Sequence, residues 1–278
     1  MATDLLRQTR DYFRAQGISE IDASILFAFL LECSRGEVQI KLIQKSADEI
    51  QELERELRRL VLRRQNGEPV QYITGKAPFR YLEYEVGPGV LIPRPETESL
   101  VSLVLEATKA VTKSKTRVID LGSGSGCIAI ALATERENFK VTAVENSLEA
   151  LPWLYKNIAR LSPTLRVIES DVATACLGER FDIVVANPPY LPKDQILPFE
   201  VRREPAVALF GGGLDGVQIP SQFIETAMRL LSSGGFLALE HDETQGAAIA
   251  ELLKESFTEI NLINDLTGRP RFTTARKL

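Results

Sequence analysis

From Thr97 to the C-terminus, short apolar runs alternate with amphipathic segments, and this rhythm limits the possible folds more than any other feature of the chain. The runs are RVIDL (Arg117 to Leu121), KVTAVE (Lys140 to Glu145), RVIES (Arg166 to Ser170), FDIVVAN (Phe181 to Asn187), GFLALE (Gly235 to Glu240) and a pair near the C-terminus. Each has the length of a buried strand. Helix-like stretches such as Ala129 to Arg136 and Gln222 to Leu231 lie between them. Strands separated by helices imply right-handed crossovers, hence an α/β fold with a mostly parallel sheet and helices on both faces. Ligands of such sheets bind beyond the carboxyl ends of the strands. The loops after Asp120, Val144 and Ala186 are therefore expected on one rim.

The first third of the chain reads as helical. Ser19-x-x-Asp22 and Ser46-x-x-Glu49 both carry the capping-box pattern, in which a hydroxyl and a carboxylate satisfy the first free N–H groups of a helix. Ile50, Leu53, Leu57 and Leu60 then form one apolar stripe that Asn66-Gly67 stops. Beyond it, FRYLEYEVGPGVLIP alternates around Gly87-Pro88-Gly89, the expected turn of a hairpin. The reading is a small helical, substrate-docking domain over residues 1–74, a β-hairpin linker over 75–94 and the α/β domain over 95–278.

Charge excludes some functions. The chain of 278 residues carries a net charge of −5, against the basic footprint of a protein that coats nucleic acid. The arginine-rich stretch Arg55 to Arg64 does not change this, because residues 1–75 hold eleven basic and twelve acidic side chains. A solvated helix face is the expected reading of that patch. The N-terminus lacks the apolar core of a signal peptide, and Ile25 to Leu31 is far short of the about 20 residues a bilayer requires. Cys33, Cys127 and Cys176 are too scattered for a disulfide framework or a zinc site. A cytoplasmic protein without membrane contact, metal or direct nucleic-acid requirement is expected, working as a monomer.

DLGSGSGC follows the first strand of the α/β domain and opens a helix. Gly122, Gly124 and Gly126, with Ser123 and Ser125 between them, allow a ligand close to bare backbone. A dinucleotide fingerprint requires glycine at 127, where Cys127 stands, and the lysine of a P-loop is missing. Asp120 precedes the loop, where its carboxylate meets a cationic amino group. Glu145 ends the next strand, nineteen residues past Gly126, where a carboxylate accepts from ribose hydroxyls. Asp171 faces an adenine amino edge or caps a helix, with Val172 packing on the ring.

The run FDIVVA ends in Asn187-Pro188-Pro189-Tyr190. Proline fixes φ near about −65° and drives the preceding residue to extended geometry. Two in succession hold the Asn187 side-chain oxygen and the Pro188 carbonyl as fixed acceptors, matched to the two donors of a planar –NH₂ group. Acceptors aimed at those hydrogens stabilise the positive charge that builds on a weakly nucleophilic nitrogen as it is methylated. Tyr190 is expected to stack on the planar group.

These motifs resemble the class I S-adenosylmethionine-dependent methyltransferases, with their Rossmann-like sheet. IPRPETE (Ile92 to Glu98), EPVQYITG, DLGSGSG, NPPY and EPAVALFGGGLDG (Glu204 to Gly216) together are similar to the HemK/PrmC family, the glutamine N5-methyltransferases of peptide chain release factors. The resemblance spans nearly the whole chain. It implies transfer of a methyl group from S-adenosylmethionine to the side-chain nitrogen of the glutamine in the Gly-Gly-Gln motif of class 1 release factors, leaving S-adenosylhomocysteine and modulating translation termination. Asp120, Gly122 to Gly126, Glu145, Asp171, Val172 and Asn187 are then the cofactor residues. Asn187, Pro188, Pro189 and Tyr190 are the substrate residues, with Asn187, Pro188 and Tyr190 catalytic. Arg94, Glu96 and Glu98 are expected to bridge the hairpin to the sheet. Asp242 stands where the family usually has glycine, and His241, the only histidine, is expected to be structural or to face solvent. A ribosomal-protein glutamine or a DNA adenine are the alternative substrates; the latter lacks a basic recognition segment here. A non-catalytic binder of release factor or RNA is opposed by the intact glycine loop and NPPY.

Overall fold

The computed structural model of the chain describes residues 2–109, 115–161 and 164–278. It forms two compact units: one runs up to Lys76 and includes Pro198–Arg203, the other comprises Ala77–Leu197 and Glu204–Leu278. The first contains helices α1 (Ala2–Ala15), α2 (Glu20–Leu30), α3 (Val38–Ile43), α4 (Ala47–Gln65) and α5 (Val70–Thr74). Phe13, Leu26, Phe27, Leu42 and Leu57 are buried at its centre, with Ile50 and Leu60 of the α4 stripe packed against them. Burying each such side chain contributes roughly 1.5–3 kcal/mol.

The Ser46–Glu49 capping box forms as expected, and the Ser46 backbone bond, then Lys45 and the Ser46 hydroxyl, hold the Glu49 carboxyl down at about 2. Ser19 also caps its helix, but Asp22 does not turn back to complete a box. Its carboxylate instead accepts from Arg64 Nε at 2.7 Å inside the unit. Arg64 also pairs with Glu200, and Arg203 donates to the Asn66 carbonyl at 2.8 Å. The hexapeptide Pro198–Arg203, read in sequence as part of the α/β domain, is thus bound into the helical unit. The arginine patch splits accordingly. Arg55, Arg58 and Arg59 each pair with a glutamate a turn earlier on an exposed face, whereas Arg64 is buried.

The second unit opens with strands β1 (Lys76–Phe79, whose first residue closes the helical unit) and β2 (Leu82–Glu85). Their hairpin turns at Arg80-Tyr81, not at Gly87-Pro88-Gly89 as the alternation suggested. Arg80 adopts φ 52° there, and its N–H donates to Glu98 Oε1 at 2.9 Å. The hairpin is no free linker: Phe79 and Tyr84 are fully buried in the core of the larger unit.

Then follow α6 (Thr97–Ala107), β3 (Thr116–Leu121), α7 (Cys127–Glu135), β4 (Phe139–Glu145), α8 (Leu151–Leu161), β5 (Arg166–Glu169) and β6 (Phe181–Ala186). The chain ends with α9 (Gln218–Leu230), β7 (Leu231–Glu240), α10 (Gly246–Leu253), β8 (Phe257–Asn264) and β9 (Pro270–Lys277). The sheet has seven strands in the order β5-β4-β3-β6-β7-β9-β8. β3 to β7 are parallel, and β9 runs antiparallel between β7 and β8. Alternate strand residues feed opposite faces. Val118, Val141, Ile183 and Val185 meet α6, α7 and α8, while Ile119, Leu121, Val144 and Val184 meet α9 and α10. Leu121 pairs with Val144 on one side and Ala186 on the other, so β3, β4 and β6 end level with one another. Strand order reverses at β3, the switch point where such sheets bind ligands. Among the described residues no helix is long and apolar enough to cross a membrane.

Candidate active site

A cavity of 590 Å³ opens beyond these strand ends. Its wall includes Gly122, Ser123, Gly124, Ser125, Glu145, Asp171, Val172, Asn187 and Pro189. Asp120, Gly126, Pro188 and Tyr190 lie outside the wall. One rim therefore gathers the three sequence features, though not every side chain in them.

The glycine loop is tied down by backbone. Gly122 and Ser123 both donate to the Val144 carbonyl at 2.9 Å, and Gly126 donates to the Ser123 carbonyl at 2.8 Å. Gly126 precedes α7 at φ 83°, and a Cβ on it would stand 2.7 Å from Leu154 of α8. The left-handed backbone favours glycine there, and any side chain would have to displace Leu154. Glu145 joins the next loop to this one: Oε2 accepts from Gly124 N at 2.7 Å, Oε1 from Asn146 N at 2.9 Å and Ser147 N at 2.8 Å. A carboxylate has about four acceptor sites, so roughly one remains for a ligand. Asp171 accepts from Ala173 N at 2.8 Å in a turn, so it caps no helix, and it stands on the wall beside half-buried Val172.

Asp120 is wholly buried under the loop, and no donor meets either carboxylate oxygen with hydrogen-bond geometry. Burial pushes its carboxyl up to about 7; the nearby Ser123 hydroxyl and Ala129 N–H offset only part of this.

The tetrapeptide after β6 is held by three separate parts of the chain. Asn187 Nδ2 donates to Thr97 Oγ1 at 3.0 Å, and Thr97 donates to Glu240 Oε2 at 2.8 Å. The Tyr190 hydroxyl donates to the other oxygen of Glu240 at 3.2 Å. The Tyr190 hydroxyl is thus directed at a buried carboxylate, and the residue is half-buried outside the wall. Burial, followed by the adjacent Glu240, raises its phenol. Glu240 is 1% exposed, and burial pushes its carboxyl up to about 7. Among the described residues no donor reaches the Pro188 carbonyl.

Backbone of the Glu204–Gly216 segment wraps this turn. Tyr190 N and Leu191 N donate to the Leu209 carbonyl at 3.2 and 2.8 Å, and Gly211 N donates back to Leu191 at 2.9 Å. A Cβ at Gly216 would lie 2.2 Å from the Tyr190 carbonyl. Gln245, 2% exposed, braces both strands of this wrap, with Nε2 donating to Tyr190 O and Asp215 O at 2.7 Å each and Oε1 accepting from Asp242 N at 3.0 Å.

Residues 98–200 match the family described as Methyltransferase small domain, and residues 4–75 match the PrmC N-terminal domain. The release factor glutamine methyltransferase of Streptomyces coelicolor is 42% identical over 223 residues, 78% of this chain and 79% of that protein. The release factor glutamine methyltransferase of Bifidobacterium longum is 36% identical over 291 residues, 99% of each. The chain belongs to the release factor glutamine methyltransferase family. Solved structures agree on the fold. The T. thermophilus 16S rRNA N2 G1207 methyltransferase, in complex with AdoMet and guanosine, superposes with a TM-score of 0.54 at 22% identity, over 73% of this chain and 50% of that one. A methyltransferase from Pyrococcus furiosus gives 0.53 at 20% identity, over 72% and 90%.

In this release factor glutamine methyltransferase scaffold, IPRPETE ties separate elements together. Arg94 donates to Glu204 Oε1 at 2.6 Å and Ile92 N to Oε2 at 3.0 Å, while Glu98 holds the hairpin turn and Glu96 is exposed. His241 is fully buried, its Nδ1 2.8 Å from the Asp242 carbonyl and its Nε2 2.9 Å from Thr273 Oγ1. Burial lowers its pKa, and its role is structural. Asp242 needs no left-handed backbone; its Oδ1 accepts from Thr244 N at 3.0 Å to close the turn itself. Sequence reasoning missed Thr97, Glu240, Gln245 and Asn157. The last, fully buried on α8, accepts from Glu85 N at 2.8 Å and donates to the Glu85 and Ser125 carbonyls at 3.0 Å. A carboxylate ending the apolar GFLALE was the one available signal, for Glu240.

Proposed function

We propose that this chain transfers a methyl group from S-adenosylmethionine to the side-chain nitrogen of the glutamine in the Gly-Gly-Gln motif of class 1 release factors. One observation carries the reading: Asn187 stands on the wall of the same cavity as the glycine loop and Glu145, with its amide NH₂ already given to Thr97. Its oxygen is thereby left for a donor in the cavity.

The residues present fit the cofactor. The cavity lies within the about 300–1,000 Å³ of small-molecule sites. The partnerless Asp120 carboxylate supplies negative charge under the loop for a cationic amino group. The spare acceptor of Glu145 suits a ribose hydroxyl, and Val172 with Asp171 suits an adenine. When bound, S-adenosylmethionine supplies an electrophilic methyl group on sulfonium sulfur. Everything else is done by the protein. On this reading the Asn187 oxygen accepts one N–H of the glutamine amide, and the Pro188 carbonyl, which has no other donor among the described residues but belongs to a residue off the cavity wall, accepts the second. Pro188 and Pro189 keep those acceptors from reorienting as charge builds on nitrogen, so the stabilisation needs no reorganisation. Fixed orientation of the amide supplies a further part of the rate, and the methylated nitrogen gives up one of its two protons to water. A neutral asparagine serves better than aspartate, whose charge stabilises the cationic ground state as well.

The helical unit, matched over residues 4–75 to the PrmC N-terminal domain, is the proposed docking element for the release factor. We infer action in the cytoplasm as a monomer. The test is transfer of labelled methyl from S-adenosylmethionine in a mixture of release factor, ribosomal proteins and DNA. Label on the release-factor glutamine is expected, and label elsewhere refutes the assignment. Asn187→Ala abolishes transfer and leaves donor affinity within a few-fold; equal loss of both makes Asn187 a cofactor residue only.

A further inference from the structure

The two ends of an asparagine amide have nearly the same shape, so packing alone does not decide which one faces the cavity. Here hydrogen-bond polarity decides it. Ionised Glu240 offers only acceptors, one oxygen to Thr97 and the other to Tyr190. Thr97 has a single O–H, and Glu240 takes it. The Thr97 oxygen therefore presents only lone pairs to Asn187 at 3.0 Å, and the group facing it is NH₂. The reversed amide would set oxygen against oxygen with no proton between them. We propose that Thr97 and Glu240 are positioning residues that lock the Asn187 oxygen toward the cavity, and that this polarity makes the site select a carboxamide over a carboxylate. The proposal rests on the reading that Asn187 receives a glutamine amide.

Protonation of Glu240 removes the lock, because a carboxylic acid donates to Thr97 and lets Thr97 donate to a flipped Asn187. The groups facing Glu240 are Thr97 and Glu96 at the start of α6, Tyr190 after β6, Arg271 on β9 and Cys127 on α7; His241, next in the chain, is engaged by Asp242 and Thr273. Burial outweighs Arg271, so the lock fails as pH falls through about 7.

The experiment compares wild type, Thr97→Ser, Thr97→Val and Glu240→Gln, all checked for intact thermal unfolding. Binding of synthetic peptides carrying Gly-Gly-Gln or Gly-Gly-Glu is measured by calorimetry, alongside kcat on release factor across pH. Wild type is expected to prefer the glutamine peptide at least about tenfold. Thr97→Val narrows that ratio about fivefold or more and lowers kcat about tenfold, the effect of one mispaired buried group. Thr97→Ser restores both to within about threefold. Glu240→Gln abolishes the acid limb of the kcat profile. Full discrimination in Thr97→Val, no rescue by serine, or a surviving acid limb in Glu240→Gln overturns the proposal. If wild type methylates no release factor, the functional reading fails with it; if wild type is active and Thr97→Val is unchanged, only the lock fails.

Discussion

Gln245→Leu tests how the tetrapeptide is held. Leucine occupies a similar volume but supplies no hydrogen bonds, so Tyr190 O, Asp215 O and Asp242 N all lose their partner. A buried polar group left unpaired costs about 1–3 kcal/mol. The low end applies to the two carbonyls, because residues 213–215 of the loop are exposed and water reaches that side. The total is roughly 3–4 kcal/mol. In a unit of this size 1 kcal/mol corresponds to about 2–4 °C, so Tm is expected to fall by about 10 °C. The Tyr190 carbonyl lies two residues from the Pro188 acceptor, and its release loosens the whole turn. A misplacement of about 1 Å at a reacting group costs on the order of a hundredfold in rate. Calorimetry and single-turnover methyl transfer on one preparation measure both effects. A Tm within about 2 °C of wild type together with a kcat within about twofold refutes the brace.

Arg64→Met leaves Asp22 buried without its cation, at a cost of about 3–5 kcal/mol, and is expected to unfold the helical unit first, seen as early hydrogen exchange in α2 and α4. The pairing of Asp22→Asn with Arg64→Met recovers most of that stability; no recovery refutes the charge argument. Asp120→Asn acts through pH. The folded carboxyl titrates at about 7 against an ordinary value of 3.8, so the folded chain holds a proton the unfolded chain has lost. Stability from this group is full below about pH 4 and is lost as pH rises through about 7. Asparagine removes that loss: Tm of the ligand-free protein rises at pH 8, stays level at pH 4.5, and S-adenosylmethionine binds more weakly. An unchanged Tm at pH 8 contradicts the assignment.

The sequence by itself determined the sheet and the rim on which the candidate site stands. These are written locally: strand and helix periods within each segment, glycines where backbone turns left-handed, prolines that fix the acceptors beside them. Only the tertiary structure decided which polar groups meet. Thr97 reaches Glu240, Arg64 reaches Glu200 and Gln245 reaches Tyr190, partners separated by 143, 136 and 55 positions. Hydrogen bonds between such distant residues leave no period or spacing to read. The same limit misplaced the hairpin turn: Arg80 takes its left-handed geometry against Glu98 of another element, while Gly87-Pro88-Gly89 does turn, with Val90 N donating to the Gly87 carbonyl at 3.4 Å, but leads into no paired strand. It also hid the partner of the Tyr190 hydroxyl, a buried carboxylate that comes 50 residues later in the chain.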